Sequence, residues 1–373
     1  MLLTNVSLGG KSGMQISIQG NLIHSISDSA VDFSAAVVDC KGYTIVPGYI
    51  DLQLYGGGTY VFDNELTTAS LERISRQHLM YGTTSFLITL PSTSIKHIKV
   101  AVDIVKAAME EGNTGVIGLH LEGPFLHPAR LGAHNIEHLR KPDIDLVKDL
   151  VQLGQGVVKM WTIAPELFSS ELLEFLGSQE LLISAGHSNA SYEEALGAFK
   201  KGVRCCTHLF NAMAPLGSRE PGLVGACLGY DHVWATVIAD GKHISFETLH
   251  LALKLKPEKL ILISDATFLD VERQQMNIGG IEVRKRGREF YTVDGRLAGS
   301  SIALHEAVKN MVTHLNVPLE IAVDMATSRP ALLINRSDLG SIAPGKKANL
   351  LLLDADLSIK GIMQNGAWEL API

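Results

Sequence analysis

The chain has few cysteines. Its 373 residues contain four, Cys40, Cys205, Cys206 and Cys227, with no CxxC pair and no regular spacing. That excludes a disulfide framework and is what reduced thiols in a cytosolic protein look like. No apolar run approaches the roughly 20 residues that a membrane-crossing helix needs. Met1–Gly10 lacks both the basic start and the apolar stretch of a secretion signal. A cytoplasmic protein with no membrane partner is therefore expected. Neither sign of charge is concentrated: 39 acidic and 32 basic residues are spread along the chain, for a net charge of −7, and no basic stripe follows a helix. Nucleic acid is excluded as a partner on that ground. There is no GxGxxG after the first strand pattern, which argues against a dinucleotide-binding sheet. Low-complexity segments and long repeats are missing as well.

What is present is a large apolar fraction, 46% hydrophobic against 19% charged residues, enough for one big α/β domain with or without a small companion. The two ends read alike. Met14-Gln15-Ile16-Ser17-Ile18 alternates apolar and polar residues, turns at Gln19-Gly20-Asn21, and continues as Leu22-Ile23-His24-Ser25-Ile26. Period two with a glycine turn is the pattern of a hairpin. It returns in Ala348–Leu353 after Pro344-Gly345, and again between Ile359 and Trp368. Residues 1–47 and 336–373 are accordingly expected to form one small β-sandwich domain.

Residues 48–335 are expected to form the second domain. From about Ile45 to His314, short β-branched runs alternate with amphipathic helical stretches. Eight strands are predicted: Ile45–Leu54, Thr83–Leu90, Gly115–Leu121, Val157–Ile163, Leu181–Ala185, Val203–Thr207, Val233–Ala239 and Leu260–Ser264. Helices are predicted at Leu66–Tyr81, Ile95–Glu111, Ser169–Gln179, Tyr192–Lys201, Phe246–Leu255 and Ile302–Leu315. Strand–helix alternation implies a parallel sheet, and eight repeats favour closure into a TIM-like (β/α)8 barrel. Asn277–Arg296 breaks the rhythm and reads as an inserted hairpin.

In such barrels the reactive groups sit at the carboxyl ends of the strands. Four ionisable residues fall there: Glu122 after the third strand, His187 after the fifth, His208 at the end of the sixth and Asp265 at the end of the eighth. Two imidazoles and a carboxylate make an open catalytic zinc site, with the fourth position left to water. A metal lowers the pKa of such a water from about 15.7 to about 7. Asp265, outside the three-ligand set, is placed to take that water's proton and return it to a leaving amine. Singly these residues are weak indicators, since a lone strand-end His is more often structural and Asp265 could cap a helix. Their joint placement is the stronger argument.

Other residues keep a plainer reading beside the sharper one. His120 alternates with Glu122 and is either a fourth ligand or, more simply, a packed residue behind the ligands. Lys159 would bridge two metals if carboxylated, but a single-metal site leaves it structural. Asn211 either binds substrate or caps its loop. For His138, His232, His250 and His314, solvated or capping roles are the default.

Several strings carry a resemblance. They are Gly118-Leu119-His120-Leu121-Glu122-Gly123-Pro124-Phe125, Ser184-Ala185-Gly186-His187-Ser188-Asn189-Ala190, Thr207-His208-Leu209-Phe210-Asn211-Ala212-Met213, Arg219-Glu220-Pro221-Gly222, Ala239-Asp240-Gly241-Lys242-His243 and Ser264-Asp265-Ala266-Thr267. With Val46-Pro47-Gly48-Tyr49-Ile50-Asp51 near the start and Pro344-Gly345-Lys346-Lys347-Ala348-Asn349-Leu350 near the end, the chain resembles the N-acetylglucosamine-6-phosphate deacetylase family of the amidohydrolase superfamily along nearly its whole length.

The resemblance implies that Glu122, His187 and His208 bind one divalent metal ion per subunit. Zn2+ suits that set best, although Fe2+, Co2+ or Mn2+ can occupy such sites. It further implies that Asp265 is the general acid/base and that His134 polarises the acetyl carbonyl. Ala133, Asn211, the Ala212 backbone, His243 and Arg219 would hold the phosphorylated amino sugar, and Leu297, Ala298 and Gly299 would close over it. Arg219 would reach across a homodimer interface into the neighbouring site. One departure stands out. Where many amidohydrolases carry His-x-His after the first strand, this chain has Gln53-Leu54-Tyr55, and mononuclear members of the family have Gln-x-Asn. A single metal is therefore favoured. The implied reaction is removal of an N-acetyl group from a sugar phosphate. The galactosamine epimer is the nearest alternative substrate. A ring-opening or deaminating amidohydrolase and a non-enzymatic metal-stabilised scaffold are the more distant readings.

Overall fold

The computed structural model describes residues 1–29, 36–112 and 114–372. Positions 30–35 and 373, which belong to the expected terminal domain, lie outside the described residues, as does position 113.

Eight strands lie side by side in chain order: Tyr49–Leu54, Thr83–Leu90, Val116–Glu122, Val158–Ile163, Leu182–Ala185, Val203–Cys206, Trp234–Val237 and Leu260–Leu262. Every neighbouring pair is parallel. Parallel neighbours need a crossover, and helices such as Ile95–Glu111 and Phe246–Leu255 supply it. Ile95–Glu111 begins where the Ser94 hydroxyl accepts the His97 N–H at 3.2 Å and ends at Gly112, whose φ of 68° only glycine adopts freely.

The sheet curls until its edges meet. The Asp265 N–H donates to the Gln53 carbonyl at 2.9 Å, and the Tyr55 N–H donates to the Ala266 carbonyl at 2.8 Å. The barrel is thus closed at the rim that carries the strands' carboxyl ends. Thr83–Leu90 is buried along its whole length. Leu87 joins Ile50, Leu52, Met160 and Ile261 inside the barrel, while Phe86, Ile88 and Leu90 face the helices. A strand covered on both faces has no solvent side, so the hydroxyls of Thr83, Thr84, Ser85 and Thr89 are buried along with its apolar residues. Ala331 and Leu333 of the helix Ser328–Leu333 extend the inner cluster.

The predicted first strand, Ile45–Leu54, divides at Pro47-Gly48. Thr44–Pro47 belongs to a different sheet and only Tyr49–Leu54 enters the barrel. Gly48 packs so closely that a Cβ there would lie 2.3 Å from the Thr84 hydroxyl. Thr44–Pro47 pairs with Leu350–Leu353 from the far end of the chain and joins the strand Leu2–Leu8, which in turn pairs with Lys11–Gln19. Leu350 and Leu352 pack with Leu3, Val6 and Ile16, whereas Leu351 and Leu353 face the main core. Strands from both ends of the chain are therefore hydrogen-bonded together, with Leu351 and Leu353 turned towards the main core.

The helix Gly222–Gly229 was not foreseen. It is buried nearly all round, so its sequence carries no polar face to reveal it. The expected inserted hairpin is a three-stranded antiparallel sheet, Gln275–Ile278, Ile281–Arg286 and Glu289–Thr292. No helix among the described residues is long and apolar enough to cross a membrane.

Candidate active site

Glu122 is the last residue of the third barrel strand. His187 and His208 lie just beyond the fifth and sixth strands, and Asp265 lies just beyond the eighth. All four are nearly sealed, at 2%, 4%, 4% and 6% exposure respectively. His187, His208 and Asp265 have φ values of 47°, 35° and 55°. Left-handed backbone costs a residue with a Cβ about 1–2 kcal/mol. Three such turns at one rim fit the pattern of strain held at functional sites.

One ligand atom each from Glu122, His187 and His208 lies within 4.8 Å of the others. His208 Nε2 is 3.0 Å from Glu122 Oε1 and 3.1 Å from His187 Nε2. His187 donates its Nδ1–H to the Arg130 carbonyl at 2.8 Å, which leaves its Nε2 lone pair facing the cluster. Lone pairs converging in a buried place call for a cation between them, so these residues fit a divalent metal. The charge balance agrees. Burial, followed by the charges of Glu122, Asp51 and Asp240, pushes the Asp265 carboxyl well above the usual range. A cation held by the three ligands would oppose that rise and keep the Asp265 carboxyl ionised, able to accept a proton. Asp265 Oδ1 is buried with no hydrogen-bond partner among the described residues, and so is free to exchange a proton. Burial works against ionisation of Glu122 too, but the three imidazoles that crowd it, His187 first and then His134 and His208, outweigh burial and hold that carboxyl well below its ordinary value.

Both oxygens of Glu122 are held by neighbouring side chains. Tyr55 donates its hydroxyl to Oε2, and Gln53 donates Nε2 to Oε1 at 3.0 Å and to the Tyr55 oxygen at 2.9 Å. The two residues at the His-x-His place thus act as donors to Glu122. His134 lies 3.0 Å from Oε2 through Nε2. Its Nδ1 accepts the Ser92 N–H at 3.1 Å, so its proton sits on Nε2. Burial, followed by the closeness of His187, lowers the His134 pKa, leaving a neutral imidazole whose donor faces the centre.

Beneath this cluster a polar chain ties the strands together. His120 bridges the Leu52 carbonyl at 3.1 Å and the Thr162 hydroxyl at 2.7 Å. Thr162 bonds Thr207 at 2.7 Å, and Thr207 bonds Ser184 at 2.6 Å. Both ring nitrogens of His120 are therefore engaged, which is the plainer of its two readings. Lys159 is the second residue of its strand, at the end opposite the cluster.

The cluster opens into a cavity of about 610 Å³. Ala133, Asn211, Ala212 and His243 line it, and Leu297, Ala298 and Gly299 line its roof. His243 is oriented by Asp240, whose Oδ2 lies 2.7 Å from Nδ1. Arg219 is exposed in the loop before the helix Gly222–Gly229 and does not line the cavity. Arg130, Asp294 and Arg296 do line it, and the sequence reading missed all three. The only local hint was that Arg296 directly precedes Leu297-Ala298-Gly299.

A model of the amidohydrolase family matches residues 44–370. The chain belongs to the amidohydrolase family. This amidohydrolase is 34% identical over 358 residues to the N-acetylglucosamine-6-phosphate deacetylase of Haemophilus influenzae, covering 94% of this chain and 93% of that one. It is 36% identical over 322 residues to the N-acetylgalactosamine-6-phosphate deacetylase of Shewanella sp. (strain ANA-3), covering 86% and 81%. The N-acetylglucosamine-6-phosphate deacetylase of Pasteurella multocida superposes with a TM-score of 0.94 at 30% identity, covering 99% of each chain. A mutant of the Mycobacterium smegmatis N-acetyl-D-glucosamine-6-phosphate deacetylase, in complex with N-acetyl-D-glucosamine-6-phosphate, superposes with a TM-score of 0.92 at 27% identity, covering 100% of this chain and 99% of that one.

Proposed function

We propose that this amidohydrolase hydrolyses the acetamide of N-acetylglucosamine 6-phosphate to glucosamine 6-phosphate and acetate, as a step of amino-sugar catabolism in the cytoplasm. The observation that carries the reading is the meeting of Glu122, His187 and His208 beside Asp265 and the Nε2–H of His134, at the floor of one cavity.

Glu122, His187 and His208 hold one divalent cation per subunit, best suited to Zn2+, and that cation when bound supplies a water acidic enough to react at neutral pH. Gln53 and Tyr55 are spent as donors to Glu122, which favours a single metal. Asp265 takes the proton of the attacking water and passes it to the departing amine. His134 gives its Nε2–H to the oxygen that becomes negative as the carbonyl turns tetrahedral. The sugar phosphate is held by Asn211, the Ala212 backbone and His243, under the roof of Leu297, Ala298 and Gly299. Arg219, too far out to serve its own cavity, serves the neighbouring one in a homodimer, where its planar fork suits a phosphate. The Shewanella relative motivates a second reading, the galactosamine epimer as substrate.

The test is acetate release from N-acetylglucosamine 6-phosphate, N-acetylgalactosamine 6-phosphate and the free N-acetyl sugars, with metal analysis of the same sample. Turnover is expected on a phosphorylated sugar, and its absence from both would reject the proposal. Arg219→Ala should raise KM for the phosphorylated sugar about tenfold or more, the loss of a charge-assisted hydrogen bond. An unchanged preference for phosphate would count against the Arg219 assignment.

A further inference from the structure

The three-stranded inserted sheet packs Val283 and Phe290 against Val61, Phe268 and Ala298. Its first strand supplies Ile278 to the cavity lining, and Arg296 adds a polar connection from the sheet to the opposite wall. The Arg296 backbone is pinned to the sheet, since its N–H donates to the Thr292 hydroxyl at 3.0 Å and its carbonyl accepts the Thr292 N–H at 2.9 Å. Its guanidinium points the other way. Nη2 lies 2.8 Å from Asp294 Oδ2, and Nη1 donates to the Gly132 carbonyl on the opposite wall.

Gly132 is the midpoint of a short segment with two duties. Upstream, the Arg130 carbonyl receives the Nδ1–H of His187 and so fixes that ring's tautomer. Downstream, His134 carries the donor that faces Glu122. The segment presses on His187 so closely that a Cβ on Gly132 would lie 2.7 Å from His187 Cε1, and Gly132 has a φ of 58°. A side chain is doubly disfavoured there, which leaves the Gly132 carbonyl as the handle by which the segment is held.

We propose that Arg296 is a positioning residue, a strap from the inserted sheet to residues 130–134 that sets where the His134 donor stands. A guanidinium suits this task because its rigid fork meets two acceptors, Asp294 and Gly132, in one fixed orientation. Arg296 acts through His134 and need not touch the substrate.

The kinetic half of this proposal rests on the deacetylase reading; the structural half does not, and the experiment separates them. Arg296→Met and Arg296→Lys are compared with the wild-type holoenzyme by steady-state kinetics, metal analysis and amide hydrogen exchange across residues 131–134, the last without substrate. In Arg296→Met, exchange should quicken, and kcat should fall between about tenfold and a hundredfold, the scale of a misplacement near 1 Å. Metal content should hold, and KM should shift alike for phosphorylated and free sugars. Lysine keeps one donor and should recover part of the rate and of the protection. Unchanged exchange and kcat in Arg296→Met would overturn the strap. So would a KM rise confined to phosphorylated sugars, which would make Arg296 a phosphate contact. If the wild type deacetylates no sugar but Arg296→Met still loosens 131–134, the deacetylase reading falls and the strap stands.

Discussion

His134 offers the sharpest test, because its two ring nitrogens have separable duties. Nδ1 accepts the buried Ser92 N–H at 3.1 Å, and Nε2–H is the donor facing the centre. Asparagine at 134 places its side-chain oxygen near where Nδ1 stands, so it satisfies Ser92 but offers no donor at the Nε2 position. Glutamine places an amide N–H near Nε2 but leaves Ser92 without its acceptor. Losing a donor aimed at a developing oxyanion costs about 2.7–4 kcal/mol, or roughly a hundredfold to a thousandfold in kcat. Leaving a buried N–H unpaired costs about 1–3 kcal/mol of stability. The two variants should therefore invert. His134→Asn should lose most of its turnover with its melting temperature nearly held, and His134→Gln should keep more turnover and melt earlier. Deacetylation kinetics at saturating metal, set beside thermal melts, decide the matter. His134→Asn within about tenfold of wild-type kcat, or both variants falling by the same factor, would refute the reasoning.

Asp265→Asn removes the proton carrier but none of the three ligands; kcat should fall by about 10²–10⁴ with metal content unchanged, and near-wild-type turnover would reject the role. Tyr55→Phe deletes the hydroxyl that holds Glu122 Oε2 and should weaken metal binding about 10- to 100-fold in a chelator competition; equal affinity would mean that the hydroxyl does not orient the ligand. Burial holds the His78 pKa down to about 4 against an unfolded value of 6.5. The unfolded chain thus takes up this proton at a higher pH than the folded one. The resulting stability is whole above about 6.5 and is lost as pH falls towards 4, by about 3 kcal/mol in total. His78→Gln should flatten the acid side of a stability-against-pH curve by about that amount, and an identical slope would disprove the assignment.

Much of the barrel was legible because its grammar is local. Period and punctuation mark Thr83–Leu90 as a strand and Ile95–Glu111 as a helix without reference to anything distant. The strand-end positions of Glu122, His187, His208 and Asp265 follow from the same rhythm, since in a parallel barrel every strand delivers its last residues to one rim. Where local grammar is silent, the reading failed. Pro47-Gly48 separates two sheets inside one apolar run, and Gly222–Gly229 has no polar face to give it away.

The composition and order of residues alone determined the alternation of strands and helices and which ionisable groups arrive at the rim. The tertiary structure decided which atoms of those groups meet. Gln53 reaches Glu122 across 69 residues and Arg296 reaches Gly132 across 164, and no spacing rule links such pairs. The tautomers of His134 and His187, the occupation of the His-x-His place by donors, and the strap over the cavity all depend on barrel closure bringing distant strands and loops to within hydrogen-bond length. Hydrogen bonds are short and directional, so they are settled only when the whole chain is in place.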